Sequence, residues 1–328
     1  MSNPVRVMVT IDTEEDDWGT YRPRESSVAN IQLLPELAEL WGRFGVRPTY
    51  LVNYPPMASA EASGVLKSVV REGRCEFGVQ CHPWNTPPLR ECQGRPPTMM
   101  SQLSEEENHA KLTVLTGIFQ ETFGFRPRSF RAGRWGLGPS VARPLSQLGY
   151  EVDLSVAPFM DWTRSGGPDY IRALRHPYRF EPSDPFVPAQ DGRMVEIPTS
   201  VGFLLGPQRL SAAVRRTLER SPLARAKVLG LLDSLGICAR RWISPETSSQ
   251  GEMIRVARVL VRSGLRVLDL TFHSSSLLPG ANPFVRSRGE KQRLLIRTER
   301  FLEFCSRKGY LFSTASEVAE EVRVGTLS

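Results

Sequence analysis

The sequence reads as an α/β chain forming a closed or nearly closed β/α barrel, on three grounds. Apolar, β-branched runs alternate with stretches of helical period along most of the chain, as expected of a parallel sheet built from β-then-α units. About eight such runs can be counted, the number a barrel needs. No glycine-rich phosphate loop comes after the first run, which puts an open doubly wound sheet second. The 328 residues suit one large barrel, so 1–328 is read as a single domain.

Residues 5–12 form an apolar run bounded by acids and read as a buried strand. Pro35 fits the first turn of a helix whose Leu37, Leu40, Trp41 and Phe44 recur at helical spacing, and Gly45 ends it. Residues 48–53 are a second strand, 57–72 a helix and 75–82 a third strand. Ser104 and Glu107 make a capping-box pattern before a helix carrying Leu112, Leu115, Ile118 and Phe119. Further strands lie at 128–132, 152–156 and 195–199. Ser244 and Pro245 read as a helix start, with Met253, Val256 and Leu260 facing inward. A strand at 266–273, a helix at 290–308 and a last strand at 310–313 complete the pattern.

One stretch breaks it. Residues 207–242 hold eight basic residues (Arg209, Arg215, Arg216, Arg220, Arg225, Lys227, Arg240 and Arg241) against Glu219 and Asp233. It reads as one or two basic amphipathic helices inserted beside the barrel. Such a segment is either a solvated lid or a surface for anionic substrate or peripheral membrane contact.

Composition narrows the class. Hydrophobic residues at 40 % and charged residues at 23 % describe a globular chain with a sizeable core. The net charge of +7 favours anionic partners, but no aromatic-interleaved basic motif points to nucleic acid. The N-terminus has no basic region leading into an apolar run, and no stretch approaches the roughly 20 apolar residues of a membrane span, so a cytoplasmic location is expected. Five cysteines (Cys75, Cys81, Cys92, Cys238 and Cys305) fit no zinc ribbon or disulfide scaffold.

Barrel active sites gather at the carboxyl ends of the strands, so the polar residues ending these strands are the candidates. The first ends in Ile11-Asp12-Thr13-Glu14-Glu15-Asp16-Asp17-Trp18. Residues two apart on extended chain share a face, so Asp12 and Glu14 point together. Clustered carboxylates repel unless a cation or strong donor answers them, which suggests one for a metal and one as general base. Asp16 and Asp17 read as a solvated loop. In the third strand Gln80 and His82 are likewise two apart, and a neutral imidazole beside two carboxylates is a plausible divalent-metal ligand. The fourth leads into Phe130-Arg131-Ala132-Gly133-Arg134-Trp135-Gly136, whose glycines let backbone come close to a ligand. The fifth carries Asp153, a natural partner for Arg131, although a purely structural ion pair would look the same. The late strand ends in His273, placed to donate a proton to a leaving amine. His109 and His176 look ordinary.

These runs, with Asp-Leu-Ser-Val at 153–156 and Thr-Phe-His-Ser at 271–274, resemble the five motifs of the NodB-homology polysaccharide deacetylases, carbohydrate esterase family four and its relatives. The nearest likeness is to the WalW-type branch. It spans about 6–314, and the Gln-x-His-Pro-Trp run at 80–84 is its most specific piece. The resemblance implies a deformed β/α barrel and a divalent metal, usually zinc. It gives Asp12 the role of base, Glu14 and His82 that of metal ligands, with Asp12 also converging on the metal, and Arg131 that of steadying the base. Asp153 would support Arg131, and His273 would be the acid. Typical members have Asp where this chain has Glu14. They also have a first histidine where this chain has Gln80, a weak neutral ligand that lowers zinc affinity.

The expected reaction removes an N-acyl group, acetyl first, from a sugar-containing small molecule, a glycosylated metabolite or a lipid-linked sugar. Gln80, Trp84, Arg134 and Trp135 would bind the substrate. The alternatives are a non-catalytic carbohydrate-binding barrel and a hydrolase acting on a formamide or cyclic amide.

Overall fold

Short runs rich in apolar residues become strands buried on both faces, and seven of them form a continuous parallel run. In a computed structural model the first five are β1 Arg6–Thr13, β2 Thr49–Val52, β3 Glu76–Cys81, β4 Ser129–Ala132 and β5 Val152–Asp153. The structure describes residues 4–16, 18, 19, 21, 26–71, 73–89, 96–221, 230, 232, 233 and 236–327. Asp17, Cys92, Arg225 and Lys227 lie outside the described residues.

A hairpin of β6 Tyr178–Glu181 and β7 Asp184–Pro188 precedes β8 Met194–Glu196. β9 Val201–Phe203 and β10 Arg240–Trp242 pair with each other, β11 Val267–His273 comes next, and β12 Leu311–Phe312 is last. The sheet runs β11-β1-β2-β3-β4-β5-β8-β6-β7, with β12 on the start of β1. From β11 to β8 all neighbours are parallel, and the hairpin is antiparallel.

The sheet does not close by strand pairing among the described residues. The gap between β8 and β11 is crossed by other bonds. Thr199 Oγ1 donates to Asp269 Oδ2 (3.0 Å), and the Asp269 amide donates to Ser200 Oγ (2.9 Å). The Thr271 amide donates to the Ile243 carbonyl (3.0 Å), and the Ile243 amide to that of Ser200 (3.0 Å). A deformed barrel is the result.

Helices cover the outside. The helix at Glu105–Phe123 starts at the predicted Ser104–Glu107 capping box and ends at left-handed Gly124. The helix expected from Ser244 begins instead at Gln250, because Ser249 and Glu252 form the capping box; Met253, Val256 and Leu260 are buried as expected. The hairpin and the closing helix Ala315–Arg323 are additions to the predicted elements. Prolines at 185 and 188 hide the strand period of β7.

The basic segment departs from expectation in two ways. Helix Gln208–Arg220 forms, but Arg240–Trp242 is a strand. The charges are also answered at home. Arg215 pairs with Glu219 and Asp233, Arg216 with Asp169, and Arg220 with Asp161. Arg240 pairs with Glu219, and Arg241 with Asp233 and Glu252. No described helix is long and apolar enough to cross a membrane.

Candidate active site

Parallel register assembles the site. Asp12 on β1 is the register partner of His273 on β11, and Gln80 on β3 that of Arg131 on β4. Alternation then puts Thr10 with Asp12, and Asp269 and Thr271 with His273, on shared faces. Asp12, Gln80, Arg131, Thr271 and His273 line a cavity of about 360 Å³ at the carboxyl end of the sheet, and Thr10 and Asp269 are buried. Five of the chain's six tryptophans (Trp18, Trp84, Trp135, Trp162 and Trp242) line it.

Arg131 is the centre of one side. Its side chain is buried, and all five of its donors are used. Nη1 donates to Asp12 Oδ1 (2.6 Å) and Thr271 Oγ1 (3.1 Å). Nη2 donates to Thr10 Oγ1 (3.0 Å) and Asp269 Oδ2 (3.3 Å), and Nε to the Leu154 carbonyl (3.1 Å). The expected Arg131–Asp153 pair is replaced by Arg131–Asp269. Asp153 instead accepts from the Ser155 amide (2.8 Å) and hydroxyl (3.0 Å) and from the Glu196 carboxyl, whose proton burial holds on well above the ordinary carboxylate range. Its short side chain stays bound at its own strand end. Asp269, across the barrel, sits mid-strand and so escapes a search of strand ends.

His273 stands beside this network, its Nε2 3.7 Å from Asp12 Oδ2. Glu246 holds it from behind, accepting from the His273 amide (2.9 Å) and facing Nδ1 at 3.0 Å. The Ser276 hydroxyl also donates to Glu246. Burial by itself would lower the His273 pKa, but the Glu246 carboxylate, with Glu14 and Asp12, pushes it up to about 10. The ring therefore carries its proton at neutral pH.

Glu14 and His82 form the other side. His82 Nε2 faces Glu14 Oε2 at 3.6 Å, and Nδ1 faces Glu15 Oε1 at 3.6 Å. The Asn53 and Asn85 amides approach Nδ1 at 3.4 Å each. Trp84 stacks on the ring, with centroids 4.2 Å apart and planes 22° from parallel, and its Nε1 donates to Glu15 (3.1 Å). Burial would raise the Glu15 carboxyl, yet His82 and Asn53 hold it down at about 2. Burial pushes Glu14 well above its ordinary range. Gln80 is buried, and its Oε1 has no hydrogen-bond partner among the described residues.

Apart from Asp153, the predicted site residues thus share one cavity, but they divide into two groups. Asp12 joins Arg131 and His273, while Glu14 joins His82. Among the described residues no three His, Cys, Asp or Glu side chains gather as a metal cluster. The donor chemistry still fits a divalent cation. A ligating histidine typically turns its second ring nitrogen to a carboxylate, as His82 does to Glu15. Gln80 Oε1 is a buried oxygen awaiting a partner.

The loop after β4 is held tightly. A Cβ on Gly133 would sit 2.0 Å from His82 Cδ2, so only glycine fits there. Arg134 and Trp135 then adopt left-handed backbone, φ 55° and 62°, at a cost of about 1–3 kcal/mol each that functional sites commonly carry. Trp135 packs beneath the Arg131 guanidinium, 4.9 Å to the ring centre.

No family model matches the chain, and no curated protein matches it. Solved structures do. A protein from Parabacteroides distasonis assigned as a glycoside hydrolase or deacetylase superposes with a TM-score of 0.62 at 13 % identity, covering 98 % of this chain and 72 % of its own. One from Mycobacterium smegmatis assigned as a polysaccharide deacetylase gives 0.54 at 18 % identity, covering 100 % and 93 %. Another so assigned, from Pseudomonas aeruginosa, gives 0.52 at 14 %, covering 97 % and 90 %. The chain has the polysaccharide-deacetylase fold.

On this deacetylase-type barrel, sequence reasoning misses four acids. Asp269 holds Arg131, Glu246 holds His273, and Glu15 orients His82. Asp16, read as solvated, is buried instead. It accepts from the Ser27 hydroxyl, the Ala29 and Asn30 amides and the Asn30 side chain. The Ser249–Glu252 capping box is the signal that could have placed the helix after Glu246 and left that acid on a loop facing the rim. His109 and His176 are exposed, as expected.

Proposed function

We propose that the protein is a hydrolase that removes an N-acyl group, most simply acetyl, from a sugar-containing substrate with the help of a divalent cation, zinc by preference. The observation that carries this reading is the side-by-side placement of a clamped carboxylate, Asp12, and a protonated imidazole, His273, at the rim where Glu14 and His82 also meet. Glu14, His82 and Gln80 would hold the cation, with Asp12 beside it. When bound, it would polarise the acyl carbonyl and make water easier to deprotonate.

The chain's own residues supply the rest. Arg131 fixes the Asp12 carboxylate through Oδ1 and leaves Oδ2 facing the cavity beside His273, positioned to take a proton from an attacking water. His273 passes a proton to the departing nitrogen. The Glu246 carboxylate behind the ring favours its protonated form, which is the form a general acid needs. Glu246 keeps the ring oriented. Backbone amides of the tight loop at 133–135, rather than the Arg134 side chain, would face the developing oxyanion.

A panel of N-acetyl sugars, N-formyl compounds and cyclic amides, monitored for acetate, formate and ammonia, tests the reaction. Acetate release from N-acetyl sugars that is lost in Asp12→Asn is expected. Formate or ammonia as the main product would move the protein to the other C–N hydrolase class. A second reading has its own support. Gln80 stands where the resembling family has a histidine, and among the described candidate ligands only Glu14 and His82 touch. Sugar binding without any acyl release would make the protein a non-catalytic carbohydrate-binding barrel.

A further inference from the structure

The cavity is polarised. Asp12, Glu14, Glu15 and Glu246 line its inner wall, and the positive charge of Arg131 is consumed by Asp12 and Asp269. One cation in the lining remains unanswered. Arg134 has no carboxylate and no hydrogen-bond acceptor among the described residues; its only contact of note is the Tyr21 ring, 4.5 Å from the guanidinium carbon. Stacking leaves the edge of the guanidinium, with its forked N–H groups, free to meet a ligand.

Arg134 is also held in place against strain. Its backbone is left-handed, and it comes directly after a glycine wedged against His82. Strain of this kind persists where the surrounding structure fixes it, and it clusters at ligand sites. Beside it lies an apolar wall. Trp135 packs on Trp242 with centroids 5.1 Å apart, and Trp162 and Met160 continue the surface.

We propose that this corner is an oxyanion subsite: the substrate carries a carboxylate or phosphate that the Arg134 fork binds, joined to a flat or ring-shaped body that lies on the tryptophan wall. This deepens the hydrolase reading and rests on it for the orientation of the substrate. The anion faces Arg134, and the acyl group points away from it, toward Asp12 and His273. The basic segment at 207–242 is not needed for this role, since its described arginines are paired with carboxylates, Arg209 apart.

The test is a binding titration that needs no turnover. Five tryptophans line the cavity, so intrinsic fluorescence reports occupancy. Phenyl phosphate, benzoate and neutral benzamide are titrated into the wild type, Arg134→Gln and Arg134→Lys. An anionic probe should bind the wild type more tightly than benzamide. It should bind Arg134→Gln about 10- to 100-fold more weakly, the range of a charge-assisted pair. Benzamide should be unchanged in both variants, which shows that the cavity is intact, and Arg134→Lys should fall between the other two for the anion. Whichever of phenyl phosphate and benzoate binds more tightly names the group. Equal binding of benzamide and both anions to the wild type, or unchanged anion binding in Arg134→Gln, overturns the subsite. Loss of benzamide in both variants would reduce Arg134 to a support of its loop and overturn it too. None of these outcomes bears on acyl release, which the product panel measures separately.

Discussion

Two sides of one cavity differ in how completely the protein satisfies them. Around Arg131 every guanidinium donor has an acceptor, and Asp12 and Asp269 share the charge. On the His82 side, the Glu14 carboxyl and Gln80 Oε1 lack hydrogen-bond partners among the described residues, and the carboxyl meets an imidazole at 3.6 Å. A buried polar group without a partner costs about 1–3 kcal/mol. The first side is completed by the fold, and the second calls for something the fold does not supply. The contrast separates a rigid support for the base from a place to bind a cation.

The largest expected effect falls where the two sides meet. Asp12→Asn should lower acyl release by about 10²–10⁴-fold, and so should His273→Ala, the span typical of general acid–base groups. Steady-state rates on an N-acetyl sugar check this; wild-type rates in either variant would mean the base or acid lies elsewhere. Arg131→Met strikes the completed side. It leaves Asp12 and Asp269 buried without their shared cation, and removing one partner of a buried pair costs about 3–5 kcal/mol. Urea denaturation should show that loss, whereas His82→Ala should leave the urea midpoint much closer to wild type. Equal losses in the two variants would erase the contrast.

Much of the support for this comparison is legible in the sequence, because strand alternation is a local rule. Asp12 and His273 at strand ends, and Gln80 with His82 two apart, come from it. The rule fails where strands stop. β1 ends at Thr13, so alternation no longer governs the next three acids. Both Glu14 and Glu15 line the cavity, while Asp16 folds back to anchor Asn30. Nor can alternation reveal partners brought together by closure. Asp269 meets Arg131 across 138 residues of chain and Glu246 meets His273 from a loop, and no sequence period encodes either contact. The charge surplus at 207–242 misleads for the same reason, since Asp161 and Asp169, far upstream, neutralise part of it.

A smaller effect sharpens the picture deeper in the barrel. Glu196 is buried, donates to Asp153 and keeps its proton well above the ordinary 4.5. A carboxyl raised on folding lends stability below its unfolded pKa and loses it as pH rises toward the folded one. The Glu196 contribution to wild-type stability should therefore be lost from about pH 4.5 upward. Glu196→Gln can still donate to Asp153 and accept from the Val156 amide, so its melting temperature should decline less over the same range. Parallel pH curves would show that Glu196 is ionised in the fold. The smallest effect belongs to the surface: Arg220→Gln removes a half-exposed pair with Asp161 and should cost no more than about 1 kcal/mol in thermal unfolding, with KM for acyl release unchanged. A raised KM would return the basic segment to a role in substrate binding.

Everything on the unfinished side turns on whether Glu14, His82 and Gln80 take up a divalent cation. Isothermal titration of zinc into chelator-stripped protein decides this most directly, comparing the wild type with His82→Ala and Arg134→Gln. One zinc per chain is expected in the wild type and in Arg134→Gln, and little or none in His82→Ala. Full zinc occupancy in His82→Ala, or none in the wild type, would contradict the assignment.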